Sequence, residues 1–199
     1  MPELGTLALM NDYRDNRVPG GTFFFTVRLL APGSSLLTDH ISAFGEAIRQ
    51  ARTRKPFHVD AWVVLPDHAH SIWTLPPGDD DCATRWRAVK IAFSKALRKS
   101  NAAQADSAIW ARHYQDHAIV DDAEYRALVD YVHMNPLRHG LCTHVQEWPW
   151  SSLHRFLAAG FTAPGEHVYP ALAPQHPRPG QRRTERPGPT ETPEADDGD

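Results

Sequence analysis

The chain has 199 residues, 41% hydrophobic and 23% charged, with a formal net charge of −3 at pH 7; these are the proportions of an ordinary globular domain. No run approaches the roughly 18 consecutive apolar residues of a membrane span, and the opening MPELGTLALMNDYRD lacks the basic start and apolar run of a secretory signal, so the expected location is the cytoplasm, without a membrane partner. Cys82 and Cys142, sixty positions apart with no CxxC pair, exclude a disulfide framework and a cysteine-based zinc module.

Read in chain order, Thr22 to Leu30 (TFFFTVRLL) follows Gly20-Gly21 and is rich in aromatic and β-branched residues, the signature of a strand. Leu37 to Arg52 carries Ile41, Phe44, Ala47 and Ile48 at helical spacing. Phe57 to Leu65 and His68 to Leu75 are short strands separated only by Pro66-Asp67, and pair most simply as a hairpin. Asp79 to Asp81 then stand at the positive end of a helix from Cys82 to Lys99, with Trp86, Val89, Phe93, Ala96 and Leu97 as its core stripe. His117 to Val120 reads as a fourth strand. Asp121, with Glu124 three positions on, opens a last helix expected to end at Asn135, ahead of Pro136. The order βαββαβα is an α+β, ferredoxin-like arrangement, expected as an antiparallel sheet with helices on one face. It occupies one domain over residues 1–161. Residues 162–199 hold eight of the seventeen prolines and are expected to form a disordered tail.

The charge is polarised. Cys82 to Ser100 holds six basic residues (Arg85, Arg87, Lys90, Lys95, Arg98, Lys99) and no acid, whereas residues 171–199 carry a net −2. A helix without acidic partners at i+4 suits a phosphate-facing surface better than an ordinary solvated face. Arg49, Arg52, Arg54 and Lys55 extend the candidate track, Trp110 or Tyr114 would stack on bases, and His117 is a further candidate phosphate contact.

Chemistry has two candidate centres. In His68-Ala69-His70 the imidazoles alternate onto one face of a strand, about 6.6 Å apart at Cα, close enough to share a divalent cation. Twelve histidines occur in the chain, so the pair taken alone reads first as two surface or structural histidines. On the last helix Tyr125, Leu128, Val129 and Val132 form the buried stripe, which makes Tyr125 the core tyrosine, while Tyr131 lies about 240° from Tyr125 with Asn135 one turn beyond it. A phenol nucleophile and a metal-ligating oxygen could meet there, or Tyr131 could be an interfacial residue and Asn135 a helix end. The P-loop, GxGxxG, GxSxG and HExxH motifs are absent.

Four segments in order resemble one family: Gly20 to Val27 (GGTFFFTV), Ala61 to Pro76 (AWVVLPDHAHSIWTLP), Asp130 to Leu141 (DYVHMNPLRHGL) and Trp148 to Ser152 (WPWSS). Together they resemble the REP-associated tyrosine transposases, a domesticated branch of the single-tyrosine HUH transposases of bacterial insertion sequences, over roughly residues 13–160. The resemblance implies that His68 and His70 are the paired metal ligands and Tyr131 the nucleophile. Asn135 stands where related transposases commonly carry a Gln ligand, with a reach one methylene shorter. It implies a ferredoxin-like domain that uses Mg²⁺ or Mn²⁺ to cleave and transfer single-stranded DNA at REP-type hairpins through a 5′-phosphotyrosine intermediate. The same resemblance leaves monomer and homodimer open and places the protein at the nucleoid when bound to DNA. A noncatalytic nucleic-acid-binding module on the same fold is the alternative.

Overall fold

The computed structural model describes residues 18–102, 108–161 and 164. The expected tail over 162–199 lies, apart from Pro164, outside the described residues. Four strands, β1 (Thr22–Arg28), β2 (His58–Val64), β3 (His68–Thr74) and β4 (Gln115–Ala118), form an antiparallel sheet in the order β2-β3-β1-β4. That is the ferredoxin-like order. β1 lies in the middle of the sheet with apolar cover on both faces, which is why TFFFTV is almost unbroken in hydrophobicity. Its residues alternate faces, with Phe23, Phe25 and Val27 in one core and Phe24 in another.

The strands follow the expected order with small shifts. β1 ends at Arg28, and Leu29 continues only as a bridge to Trp110. β4 lies two residues earlier than the expected His117–Val120, while Ile119 stays attached through its N–H to the Thr22 carbonyl at 2.9 Å and is buried.

The first expected helix divides at His40 into a short α1 (Leu36–Asp39) and α2 (Ile41–Arg54). Helix α3 (Cys82–Lys99) has the expected bounds, and Asp81 caps it by accepting the Thr84 N–H. Both α2 and α3 cover the Phe23/Phe25 face, where Trp73 and Trp86 stack with centroids 4.2 Å apart.

Helix α4 (Asp122–Arg138) corrects two expectations. It packs on the opposite face, with Val129 and Val132 against Phe24, Val63 and Ile72, so the helices do not all share one face of the sheet. The sheet's second apolar face, built from alternate residues of β1, β2 and β3, has to be covered, and α4 with α5 (Leu153–Ala158) covers it. Helix α4 also continues through Pro136 rather than ending before it. Pro136 forfeits one backbone bond, but its carbonyl accepts from Leu141 at 2.9 Å, Asn135 accepts from His139 at 3.0 Å, and Gly140 takes the left-handed conformation (φ 66°) that closes the end. The additional turn carries Arg138 and His139 to the same end of the sheet as His68.

Candidate active site

On β3, His68 and His70 point to the α4 face, with ring centroids 5.2 Å apart, while Ala69 between them packs into the opposite core. Both rings are nearly inaccessible, 3% and 2% exposed by residue. Each has its Nδ1 engaged. For His68 the partner is the Asp67 carboxylate at 2.6 Å, and for His70 it is the Thr26 hydroxyl at 2.9 Å, directly across from it on β1. Asp67 is held in turn by the Gly33 N–H at 2.9 Å. The Nε2 of His68 is buried without a hydrogen-bond partner, as is the Oδ1 of Asn135. Two orphaned polar atoms beside a second imidazole are the groups here that could hold a cation.

The surroundings disfavour the protonated imidazoles. Burial pushes His70 well below the ordinary histidine range; the charges of His68, Arg28 and His139 act in the same direction, and only the adjacent Asn135 side chain opposes them. Burial also lowers His68, against the pull of the Asp67 carboxylate, and Arg28 and His139 again disfavour the protonated ring. Neutral imidazole is the form that ligates metals.

Tyr131 stands over this pair. Its ring centroid is 5.3 Å from that of His70 and 5.8 Å from that of Phe24, and the Arg138 guanidinium lies 5.2 Å from its own centroid. His139, one turn after Asn135, places its ring 4.9 Å from His68. Tyr125 is differently employed. Its hydroxyl approaches Asp60 Oδ1 at 3.5 Å, and burial together with that carboxylate pushes the phenol far above its ordinary range. The helix therefore separates the two tyrosines as the wheel argument expects: Tyr125 packs with a structural carboxylate, and Tyr131 faces the histidines.

The residues expected on a phosphate track divide. Arg85 is 1% exposed and forms a two-pronged pair with Asp79 at 2.9 and 2.8 Å, with further bonds to the carbonyls of Pro56, Asp81 and Lys55; its guanidinium is engaged inside the fold, against the expectation of a phosphate-facing surface. Lys90 donates to the Ala111 carbonyl and lies against Trp110 and Tyr114. Those aromatics pack onto the core, Trp110 against Phe93 and Tyr114 against Phe25 and Trp86, instead of offering an open stacking platform. Arg87, Lys95, Arg98 and Lys99 are exposed, but α3 covers the face of the sheet opposite Tyr131. Arg49 pairs with Glu46, Lys55 pairs with Asp81, and Arg52 donates to the Phe57 carbonyl. His117 faces Glu124, with Nε2 to Oε1 at 2.6 Å, tying β4 to the first turn of α4.

Sequence reasoning did not single out Thr26, Asp67, Arg28, Arg138 or His139. Thr26 and Arg28 become visible only with the register of β1 against β3, in which Thr26 pairs with His70 and Arg28 with His68, whereas Asp67 is the sequence neighbour of His68. The last two were hidden by ending the helix at Asn135.

The comparisons with known proteins agree with this architecture. No family model matches the chain. A REP-associated tyrosine transposase of Escherichia coli (strain K12) is 43% identical over 151 residues, covering 76% of this chain and 87% of the relative. A putative REP-associated tyrosine transposase of Haemophilus influenzae is 36% identical over 157 residues, covering 75% and 89%. A solved structure of a REP-associated tyrosine transposase bound to a REP hairpin superposes with a TM-score of 0.71 at 39% identity, covering 82% of this chain and 96% of the other. The sheet, its two helical layers and this degree of likeness define a DNA-processing enzyme of the transposase class. Within that class, the chain belongs to the REP-associated tyrosine transposases.

Proposed function

We propose that this chain cleaves and rejoins single-stranded DNA at REP-type hairpins, with Tyr131 as the nucleophile and His68, His70 and Asn135 as the holders of a divalent cation. One observation carries the reading: the Tyr131 ring packs beside His70, while His68 Nε2 and Asn135 Oδ1 are buried with no partner of their own. The relative solved with a REP hairpin supports hairpin DNA as the partner.

The donor set fits a divalent ion such as Mg²⁺ or Mn²⁺. The Asp67 carboxylate accepts from His68 Nδ1 and so favours the tautomer whose Nε2 lone pair is available for ligation, the usual outer support of a metal-bound histidine, while the Thr26 hydroxyl, able to donate or accept, holds the His70 ring in place. Among the described residues no group of three or more histidine, cysteine or carboxylate side chains is disposed to hold a metal. The Asn135 oxygen and the substrate's own phosphate would therefore complete the coordination. A bound cation would supply Lewis-acid polarisation of the phosphate's non-bridging oxygens.

The protein's own groups do the rest. Tyr131 is positioned on its helix by Phe24 and His70, so its hydroxyl is presented without a large ordering cost at the moment of attack. Attack by the phenolic oxygen forms a tyrosyl–phosphate ester and breaks the phosphorus–O3′ bond. The phenol's proton leaves to solvent, and the departing 3′ oxygen takes one from solvent. The ester keeps the energy of the broken bond, so a later 3′-hydroxyl can reverse the step without a nucleotide cofactor, consistent with the missing P-loop.

The test is a REP-hairpin oligonucleotide incubated with protein and Mn²⁺ or Mg²⁺. A denaturation-resistant protein–DNA adduct is expected from the wild type and from Tyr125→Phe, and none from Tyr131→Phe. Tight hairpin binding by the wild type with no adduct under either metal would favour the noncatalytic binding module.

A further inference from the structure

Exposed cations lie on both faces of the sheet, but only some stand near Tyr131. On the α3 side Arg85, Lys55 and Arg49 are each neutralised by a carboxylate and Lys90 is tied to a carbonyl, while Arg87 and Lys95, exposed and without an ion pair among the described residues, belong to the helix that covers the face opposite Tyr131. Arg28 and Arg138 are exposed, and neither forms an ion pair with a carboxylate among the described residues. Arg28 ends β1 directly opposite His68, on the same face as Thr26 and His70 because side chains alternate along the strand. Arg138 lies over the Tyr131 ring. The nearest acid in sequence to the histidines, Asp67, is already occupied by His68 and the Gly33 N–H.

An unpaired arginine keeps its charge and a planar fork of donors that matches phosphate oxygens two at a time. A guanidinium 5.2 Å from the phenol's ring centroid puts such a fork beside the residue that attacks. We propose that Arg28 and Arg138 form a two-sided clamp on the DNA backbone, Arg138 gripping the phosphate that Tyr131 attacks and Arg28 an adjacent phosphate, and that this clamp, not the basic surface of α3, is the phosphate track. The inference rests on the proposed function of the site, and locates its substrate.

The test separates the two. Binding of the hairpin oligonucleotide is measured by fluorescence anisotropy from 50 to 200 mM salt, with chelator present and in the Tyr131→Phe background, so that cleavage plays no part. Each phosphate contact removed from a single strand lowers the slope of log affinity against log salt by about 0.7. Arg28→Gln and Arg138→Gln should each lower the slope by about that amount, and Arg87→Gln and Lys95→Gln should leave it unchanged, with all four proteins melting as the parent does. In the catalytic background, Arg138→Lys should restore the slope but not the rate of adduct formation, because an ammonium supplies charge without the fork. Unchanged slopes for Arg28→Gln and Arg138→Gln, or reduced slopes for the α3 variants, would overturn the clamp even if the wild type forms the adduct. An absent adduct with the expected slopes would overturn the catalytic reading and leave the clamp standing.

Discussion

Replacing Arg85 separates a structural role from a DNA-binding one. In Arg85→Met the apolar stem is kept and the guanidinium lost, so the cost falls on what the guanidinium holds: both oxygens of Asp79 and the carbonyls of Pro56, Asp81 and Lys55. These contacts lock the β2 approach, residues 55–56, to the start of α3. Breaking a buried ion pair from one side costs about 3–5 kcal/mol. The Asp79 side chain is 29% exposed and can rehydrate, which favours the lower end. A loss of about 3 kcal/mol corresponds to a fall in Tm of about 6–12 °C for a domain of this size. Calorimetry and urea midpoints measure the loss, and the salt dependence of hairpin binding, taken at a temperature where the variant is folded, should equal that of the wild type. A Tm within about 1 °C of wild type together with a weaker salt dependence would refute the burial argument and return Arg85 to the DNA surface.

Two other perturbations follow from the same geometry. Thr26→Val and Asp67→Asn remove the outer partners of His70 and His68, and each should weaken Mn²⁺ binding by about 10–100-fold in calorimetric titration with little change in Tm; unchanged affinity in both would mean that neither bond orients a ligand. His133 is fully buried against the Ser152 hydroxyl, and burial, reinforced by the charges of Arg155 and His154, pushes it down to about 3. Its folded value lies below its unfolded one, so its contribution is complete above about pH 6.5 and is lost as pH falls toward 3, by at most about 1.4 kcal/mol per pH unit. Urea midpoints measured from pH 7 to 4.5 should therefore drop less steeply in His133→Gln than in the wild type, and parallel curves would contradict the assignment.

What the sequence made legible follows from periodicity. The two-residue alternation put His68 and His70 on one face, and the four-residue spacing put Asn135 one turn beyond Tyr131; both survive in the fold because neither depends on knowing the partner strand or layer. What failed depended on tertiary context. The six cations of α3 look alike in a helical wheel, yet Arg85 is drawn inside by Asp79, a residue that precedes the helix. Placing all helices on one side overlooked that β1 is apolar at successive positions, a sign of cover on both faces. Ending α4 at Asn135 applied a local steric preference that the N–H groups of Leu141 and His139, donating to the carbonyls of Pro136 and Asn135, outweigh, and it concealed the turn that bears Arg138.

The central claim is that the strand is joined to Tyr131 and to no other side chain, and peptide mapping of the adduct tests it most directly. Trypsin cuts after Arg126 and after Arg138, so Tyr131 falls in the peptide spanning residues 127–138 and Tyr125 in the one before it. After nuclease trimming, mass spectrometry should find the nucleotide mass on peptide 127–138, with fragment ions placing it on Tyr131. The nucleotide on the peptide that ends at Arg126, or on any other residue, would contradict the account.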